Sequence, residues 1–312
     1  MSNNTADIIL KVEDLKMHFP IRKGFLRKTV GAVRAVDDVS FAIEKCELFG
    51  LLGPNGAGKT TAIRCMLDSI RPDGGKALLL GLDARADPVA VQACTGYLPG
   101  EMQFYDNLSV ERQLRFFSDM RNGRVEWGYV RQLAARLDLD LKPQIKNLSK
   151  GNKQKVGVIQ ALMHRPELLL LDEPTSGLDP LMQQEVLGLL REANAAGATV
   201  FFSSHIMSEV ENVAGRVAII RSGEIVEVAG TESLTHRTLN RLTVRFKAPV
   251  DLAELGRLPG VEILSQAGQT NITLQVAGDM QALVGALGQL PVLDLETERP
   301  SLEEVFLTYY KK

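Results

Sequence analysis

The densest chemistry in this chain sits at Gly53, Pro54, Asn55, Gly56, Ala57, Gly58, Lys59, Thr60 and Thr61. Gly53 to Thr60 satisfies G-x-x-x-x-G-K-[ST], the pattern of a loop that wraps phosphate groups. The glycines carry no Cβ, so the loop can curl tightly and aim its backbone N–H groups at phosphate oxygens. Lys59 is spaced to reach the β- and γ-phosphates of a nucleotide, and the Thr60 hydroxyl suits Mg2+. The plainer reading of the same residues is a glycine turn between a strand and a helix.

A second group of candidates lies more than a hundred residues on. Asp172 and Glu173 follow a four-leucine run. Two adjacent acids at a strand end can divide the work, Asp172 holding Mg2+ through water and Glu173 polarising an attacking water. Ser149 and Gly151, in Leu148-Ser149-Lys150-Gly151-Asn152, combine a helix-capping hydroxyl with a backbone that an anion can approach. Asp179 closes the turn Ser176-Gly177-Leu178-Asp179-Pro180, and His205 stands just past another apolar run. Phe19 is either an aromatic that stacks on a base or a core residue.

Elements are required to bring these groups together. Phe49–Leu52, Leu168–Leu171 and Thr199–Ser203 are short apolar runs that read as buried strands. Helices are expected over Thr61–Leu67 and Lys153–Met163. A parallel sheet with Asp172 and His205 past its strand ends would put both at the edge where such folds bind ligands. Ile8–Val12 and Val39–Ile43 read as further strands. Between them, Arg22, Lys23, Arg27, Lys28 and Arg34 occur with no acid from Ile21 to Arg34. That is either a long hairpin with a solvated charged tip or one whose basic tip faces lipid headgroups or a membrane partner.

The motifs GPNGAGKTT, LSKGN, LLLLDEP and SGLD, followed by His205, stand in the order and spacing of the ATPase subunit of ABC transporters, and over about residues 7 to 230 the chain resembles that family. The resemblance implies ATP and Mg2+ as cofactors and a P-loop ABC ATPase domain with a β subdomain and a helical subdomain. It implies catalytic roles for Glu173, His205 and Lys59, and metal ligation by Thr60 and Asp172. Phe19 would stack on adenine, and Ser149 and Gly151 would hold the γ-phosphate of ATP bound to a second ATPase subunit. Two departures stand out: Lys150 and Asn152 replace the usual residues of the LSGGQ signature, and Gly100 stands where the family places a glutamine, with Glu101 and Gln103 close by. Thr60 and Asp172 keep the metal site, so retained hydrolysis is expected.

Partners follow from the same resemblance. LPGE, LSKGNKQK and the EEVFLTYY ending look like exporters whose membrane subunits are separate chains handling drugs, antibiotics or lipids, whereas HFPIRKGFLRKTVGAVRAVDDVSF resembles peptide-importer ATPases. Export is favoured. The alternatives are a peptide-importer ATPase and a regulatory subunit that hydrolyses poorly. Ribosome- or DNA-acting relatives carry duplicated ATPase domains or long coiled coils; each motif occurs once here and sustained heptads are lacking, so no nucleic-acid partner is expected.

The whole chain frames this reading. Its 312 residues suggest two domains, an ATPase domain over 1–230 with a helical subdomain at about 101–150, and a small α+β domain over 231–312. In the second, Leu242–Phe246, Val261–Leu264, Ile272–Val276 and Val292–Leu295 read as strands and Asp251–Leu258 and Asp279–Leu290 as helices, the ferredoxin-like order, with a last helix over 302–310. A net charge of −2 argues against bulk nucleic-acid binding. No run approaches the length of a membrane span, and the first residues lack a signal peptide's features, so a cytoplasmic protein held at the inner face of the membrane by its permease is expected. The 3 cysteines match no metal pattern and are expected to be buried thiols.

Overall fold

The computed structural model describes residues 7–23, 28–121, 125–231, 233–234, 240–250, 255–276 and 280–298. Its contacts form two compact units, Met1–Ala229 and Gly230–Lys312.

The first unit opens with β1 (Ile8–Lys23) paired antiparallel to β2 (Lys28–Glu44). Both strands run well past the apolar stretches Ile8–Val12 and Val39–Ile43 that announced them. Beyond Met17 the ribbon no longer lies on a core, so its residues lose apolar alternation while the ladder still pairs His18 with Arg34 and Lys23 with Lys28. Arg27 lies outside the described residues. β3 (Leu48–Leu52), fully buried, leads through the glycine loop into α1 (Lys59–Met66). β4 (Gly74–Leu79) and β5 (Leu82–Asp83) complete an antiparallel sheet in the order β2-β1-β4-β5.

After α2 (Pro88–Cys94) and β6 (Thr95–Leu98) come the helices α3 (Val110–Met120) and α4 (Trp127–Arg136). Ser109 caps α3 by accepting from Arg112 N at 3.3 Å. Both pack on α5 (Lys150–Leu162). β7 (Leu168–Asp172), α6 (Pro180–Ala195), β8 (Thr199–Ser204), α7 (Met207–Val213), β9 (Arg216–Arg221) and β10 (Glu224–Gly230) finish the unit. The second sheet has the order β10-β9-β3-β8-β7-β6, and the pairs β9–β3, β3–β8, β8–β7 and β7–β6 are parallel. The core between the sheets is closed by Phe41 of β2 stacked on Phe49 of β3 and Phe201 of β8, with ring centroids 5.6 and 5.8 Å away.

The second unit contains β11 (Asn240–Phe246), β12 (Val261–Ala267), β13 (Asn271–Val276), α8 (Gln281–Leu287) and β14 (Val292–Glu298). Its strands pair antiparallel in the order β12-β13-β11-β14, the ferredoxin-like arrangement. Alternate residues Leu242, Val244 and Phe246 face Ile272, Leu274 and Val276 in a core that includes Leu283 and Leu287 of α8. Of the helix expected at Asp251–Leu258, residues 251–254 fall outside the described residues and Leu255–Arg257 is a 3-10 turn. The helix expected over 302–310 also lies outside them.

The cysteines correct an expectation. Cys65, in α1, is buried, and burial together with the Asp73 and Asp68 charges pushes its thiol up to about 12. Cys46 and Cys94 are exposed. Cys46 stands in the turn after β2 at φ 59, where its thiol donates to Gly197 O at 3.4 Å, and Cys94 ends α2.

Candidate functional site

Parallel pairing puts the carboxyl ends of β3, β7 and β8 on one edge. Leu52 lies beside Ser204, and Ser203 beside Asp172, so the glycine loop, the acid pair and His205 leave the sheet from adjacent strands. The loop turns tightly because Gly58 adopts φ 108, and a Cβ there would lie 2.1 Å from the Ala35 carbonyl oxygen. Gly58 is also the N-cap of α1 and supplies no side-chain bond. The N–H groups of the first turn therefore have no partner within the helix and face the cleft at its positive end.

That cleft, about 380 Å³, is lined by Asn55, Gly56, Gly58, Lys59, Thr60 and Thr61 of the loop and α1, by Glu173, and by Val33, Arg34, Ala35 and Ser222. Lys59 is only 5% exposed. Its ammonium donates to Gly53 O at 2.7 Å and Pro54 O at 3.2 Å, and lies 3.2 Å from Glu173 Oε1. The other oxygen, Glu173 Oε2, is 3.0 Å from His205 Nδ1. Lys59, Glu173 and His205 thus form a continuous chain of polar contacts.

Asp172 is fully buried. Its Oδ1 accepts from Ser203 Oγ at 2.6 Å, whereas Oδ2 has no hydrogen-bond partner. A Cβ at Gly100 would stand 2.7 Å from that oxygen, so the glycine at this position keeps the space in front of the carboxylate clear. A buried carboxylate oxygen without a donor is suited to a cation, and among the described residues no His, Cys, Asp and Glu cluster offers a competing metal site.

Phe19, Ser149, Gly151 and Asp179 do not line this cleft. Ser149, exposed, caps α5 by accepting from Asn152 N at 3.2 Å, and Gly151 lies against the Gly177 backbone. Lys150, one of the two signature departures, runs its side chain along Gly177. Asp179 caps α6, accepting from Leu181 N and Met182 N at 3.1 Å each, so its carboxylate already has a structural duty. Phe19 is 40% exposed, which removes the core reading, and it pairs with Val33, whose neighbours line the cleft.

Several participants carried no signal in the motifs. Gln154 of α5 is buried and donates through Nε2 to Glu173 O and Pro174 O, both at 3.0 Å. An amide on an otherwise apolar helix face was the available clue. Ser203 supports both acids, and the Val33–Ala35 wall comes from a part of β2 that reads only as a basic hairpin.

Comparisons with known proteins agree with this geometry. The ABC transporter family profile matches residues 36–176. An uncharacterised ABC transporter ATP-binding protein of Synechocystis is 35% identical, over 88% of this chain and 78% of that protein. The linearmycin resistance ATP-binding protein LnrL of Bacillus subtilis is 30% identical, over 92% and 95%, and the bacitracin transport ATP-binding protein BcrA of Enterococcus faecalis is 31% identical, over 83% and 82%. Among solved structures, the ATP-binding subunit of an ABC transporter superposes with a TM-score of 0.62 at 29% identity, covering 73% of this chain and 92% of that one. A dimeric ATP-binding cassette in a post-hydrolysis state with ADP and Pi gives 0.61 at 19% identity, over 71% and 98%, a likeness of fold.

Proposed function

This chain belongs to the ATPase subunits of ABC transporters, and from that premise we propose how its residues bind and hydrolyse ATP. The glycine loop and the start of α1 receive the phosphates, and Lys59 pairs with the β- and γ-phosphates. Phe19 stacks on the adenine. Thr60 and Asp172 would hold Mg2+, which supplies charge neutralisation at the phosphates.

The observation that carries the reading is the chain Lys59–Glu173–His205 beside the orphaned Asp172 oxygen. Glu173 is the counter-ion of Lys59. The γ-phosphate takes over that role, which frees the Glu173 carboxylate to accept a proton from an attacking water. His205, in contact with Glu173 Oε2, orients the carboxylate and reaches toward the γ-phosphate.

Two subunits close around two ATP, with Ser149 and Gly151 of each contacting the γ-phosphate held by the other. The exposure of Ser149, and its absence from the lining of the chain's own cleft, support that arrangement. No described helix is long and apolar enough to cross a membrane. The subunit drives a separate integral-membrane permease, at the inner face of the cell membrane. The linearmycin and bacitracin relatives support export of drugs, antibiotics or lipids.

Glu173→Gln tests the reading. ATP binding survives, because Lys59, Thr60 and Asp172 are untouched, while hydrolysis falls about 10²- to 10⁴-fold. The variant accumulates as an ATP- and Mg2+-dependent dimer on size-exclusion chromatography. Turnover within a few-fold of the unmodified chain removes Glu173 as the base.

A further inference from the structure

Glu173 holds an awkward backbone. Its φ is 50, the left-handed region that disfavours a residue with a Cβ. It also precedes Pro174, whose ring narrows the choices of the residue before it. Such a conformation persists only when its surroundings fix it from both sides. On the amide side, Glu173 N donates to Ser203 O at 3.2 Å and Ser203 Oγ at 3.1 Å. On the carbonyl side, Glu173 O accepts from Ser176 N at 3.1 Å and from Gln154 Nε2 at 3.0 Å. The same Gln154 amide reaches Pro174 O at 3.0 Å, so one side chain spans two consecutive peptides.

Gln154 is 4% exposed and sits in α5, the helix that Ser149 caps. Burial limits the water that could replace this donor: without it Pro174 O would be left unpaired and Glu173 O would keep only Ser176 N. We propose that Gln154 is a positioning residue for hydrolysis: its amide clamps the Glu173–Pro174 peptides to the Ser149 helix and thereby fixes where the Glu173 carboxylate points. The proposal rests on the reading of Glu173 as the base. It gives α5 a mechanical role beyond presenting Ser149, because displacement of the helix by a second subunit pulls on the peptide that carries the carboxylate.

Two substitutions in the full-length chain test it. Gln154→Leu keeps the bulk and removes both donors. It lowers kcat about 10- to 100-fold, the scale of a misplaced catalytic group, with the KM for ATP within about two-fold of the unmodified chain. Gln154→Glu turns carboxylate oxygens toward two carbonyls when ionised, but its protonated form offers one O–H donor. Burial and that bond favour protonation, so kcat relative to the unmodified chain recovers on going from about pH 8 to about pH 6, whereas the Gln154→Leu ratio stays flat. In a Glu173→Gln background, Gln154→Leu slows residual hydrolysis no further, since it acts through a group already removed.

Loss of ATP binding in either Gln154 variant overturns the proposal, because Gln154 then supports the fold rather than the carboxylate. Equal slowing of both backgrounds overturns it too, as does unchanged kcat in Gln154→Leu. The base reading fails separately: a Glu173→Gln chain at near-normal rate removes the premise whatever Gln154 does.

Discussion

Two helices begin at loops that resemble phosphate sites, and they begin differently. α1 has Gly58 as its N-cap, at φ 108 and without a side-chain bond, and its first residue is a lysine buried against the loop carbonyls. α5 has Ser149 as its N-cap, in extended backbone, with the hydroxyl oxygen accepting from Asn152 N. The first start forgoes a cap, which is typically about 1 kcal/mol of helix stability, and leaves its N–H groups for a ligand. The second is satisfied within its own helix, and the hydroxyl hydrogen remains free to donate. One start is complete inside the subunit, and the other needs a phosphate brought to it.

The largest test of that contrast is Lys59→Ala. No other loop cation reaches the phosphates, so ATP affinity falls at least about 100-fold, or roughly 3 kcal/mol, measured by equilibrium binding of labelled ATP. Normal affinity would erase the difference between the two starts. At the other start, Ser149→Arg leaves ATP binding by the single chain intact. In the Glu173→Gln background it removes the ATP-dependent dimer, because bulk and charge enter the γ-phosphate contact. Ser149→Ala separates capping from recognition: thermal unfolding should report a loss of about 1 kcal/mol. A variant that keeps both its dimer and its stability would show the hydroxyl has neither job.

The smallest effect is expected just beyond the far end of α5, at His164. Burial, then the Arg121 charge, pushes its imidazole down to about 4 from the ordinary 6.5. The unfolded chain takes up that proton at higher pH than the folded one. Stability from this group is therefore complete above about pH 6.5 and is lost as pH falls toward about 4. His164→Phe should show a shallower fall of Tm across that window than the unmodified chain, and parallel curves would assign the acid sensitivity to the carboxylates instead.

Much of the fold was legible because its strands are short, apolar and punctuated. Leu168–Leu171 and Thr199–Ser203 grew by only one residue each into β7 and β8. Periodicity failed where burial stops. The outer halves of β1 and β2 have little core to face, so nothing in their pattern marks the strand ends. Cysteine chemistry misled for a related reason: a small apolar side chain fits a turn or helix end as readily as a core. At the site, the glycine loop and the acids were legible because their spacing is local. Ser203 and Val33 were not, because a residue's contact with a distant peptide leaves no trace in its own neighbourhood, and Gln154 left only an amide on an apolar helix face. Asp179 shows the converse, a motif acid whose observed bonds cap its own helix.

The adjacency of β3, β8 and β7 has a consequence for how this architecture tolerates change. Lys59 and Glu173 are far apart in the chain, yet their separation is set by the lateral pitch of two ladder steps, about 4.8 Å each, and not by the length of what is strung between them. Insertions, deletions or wholesale exchange within α3 and α4 therefore leave this strand spacing where it was. The helices packed on α5 can change in length or sequence while the strands that set this spacing stay as they are, which makes the sheet edge a transferable part.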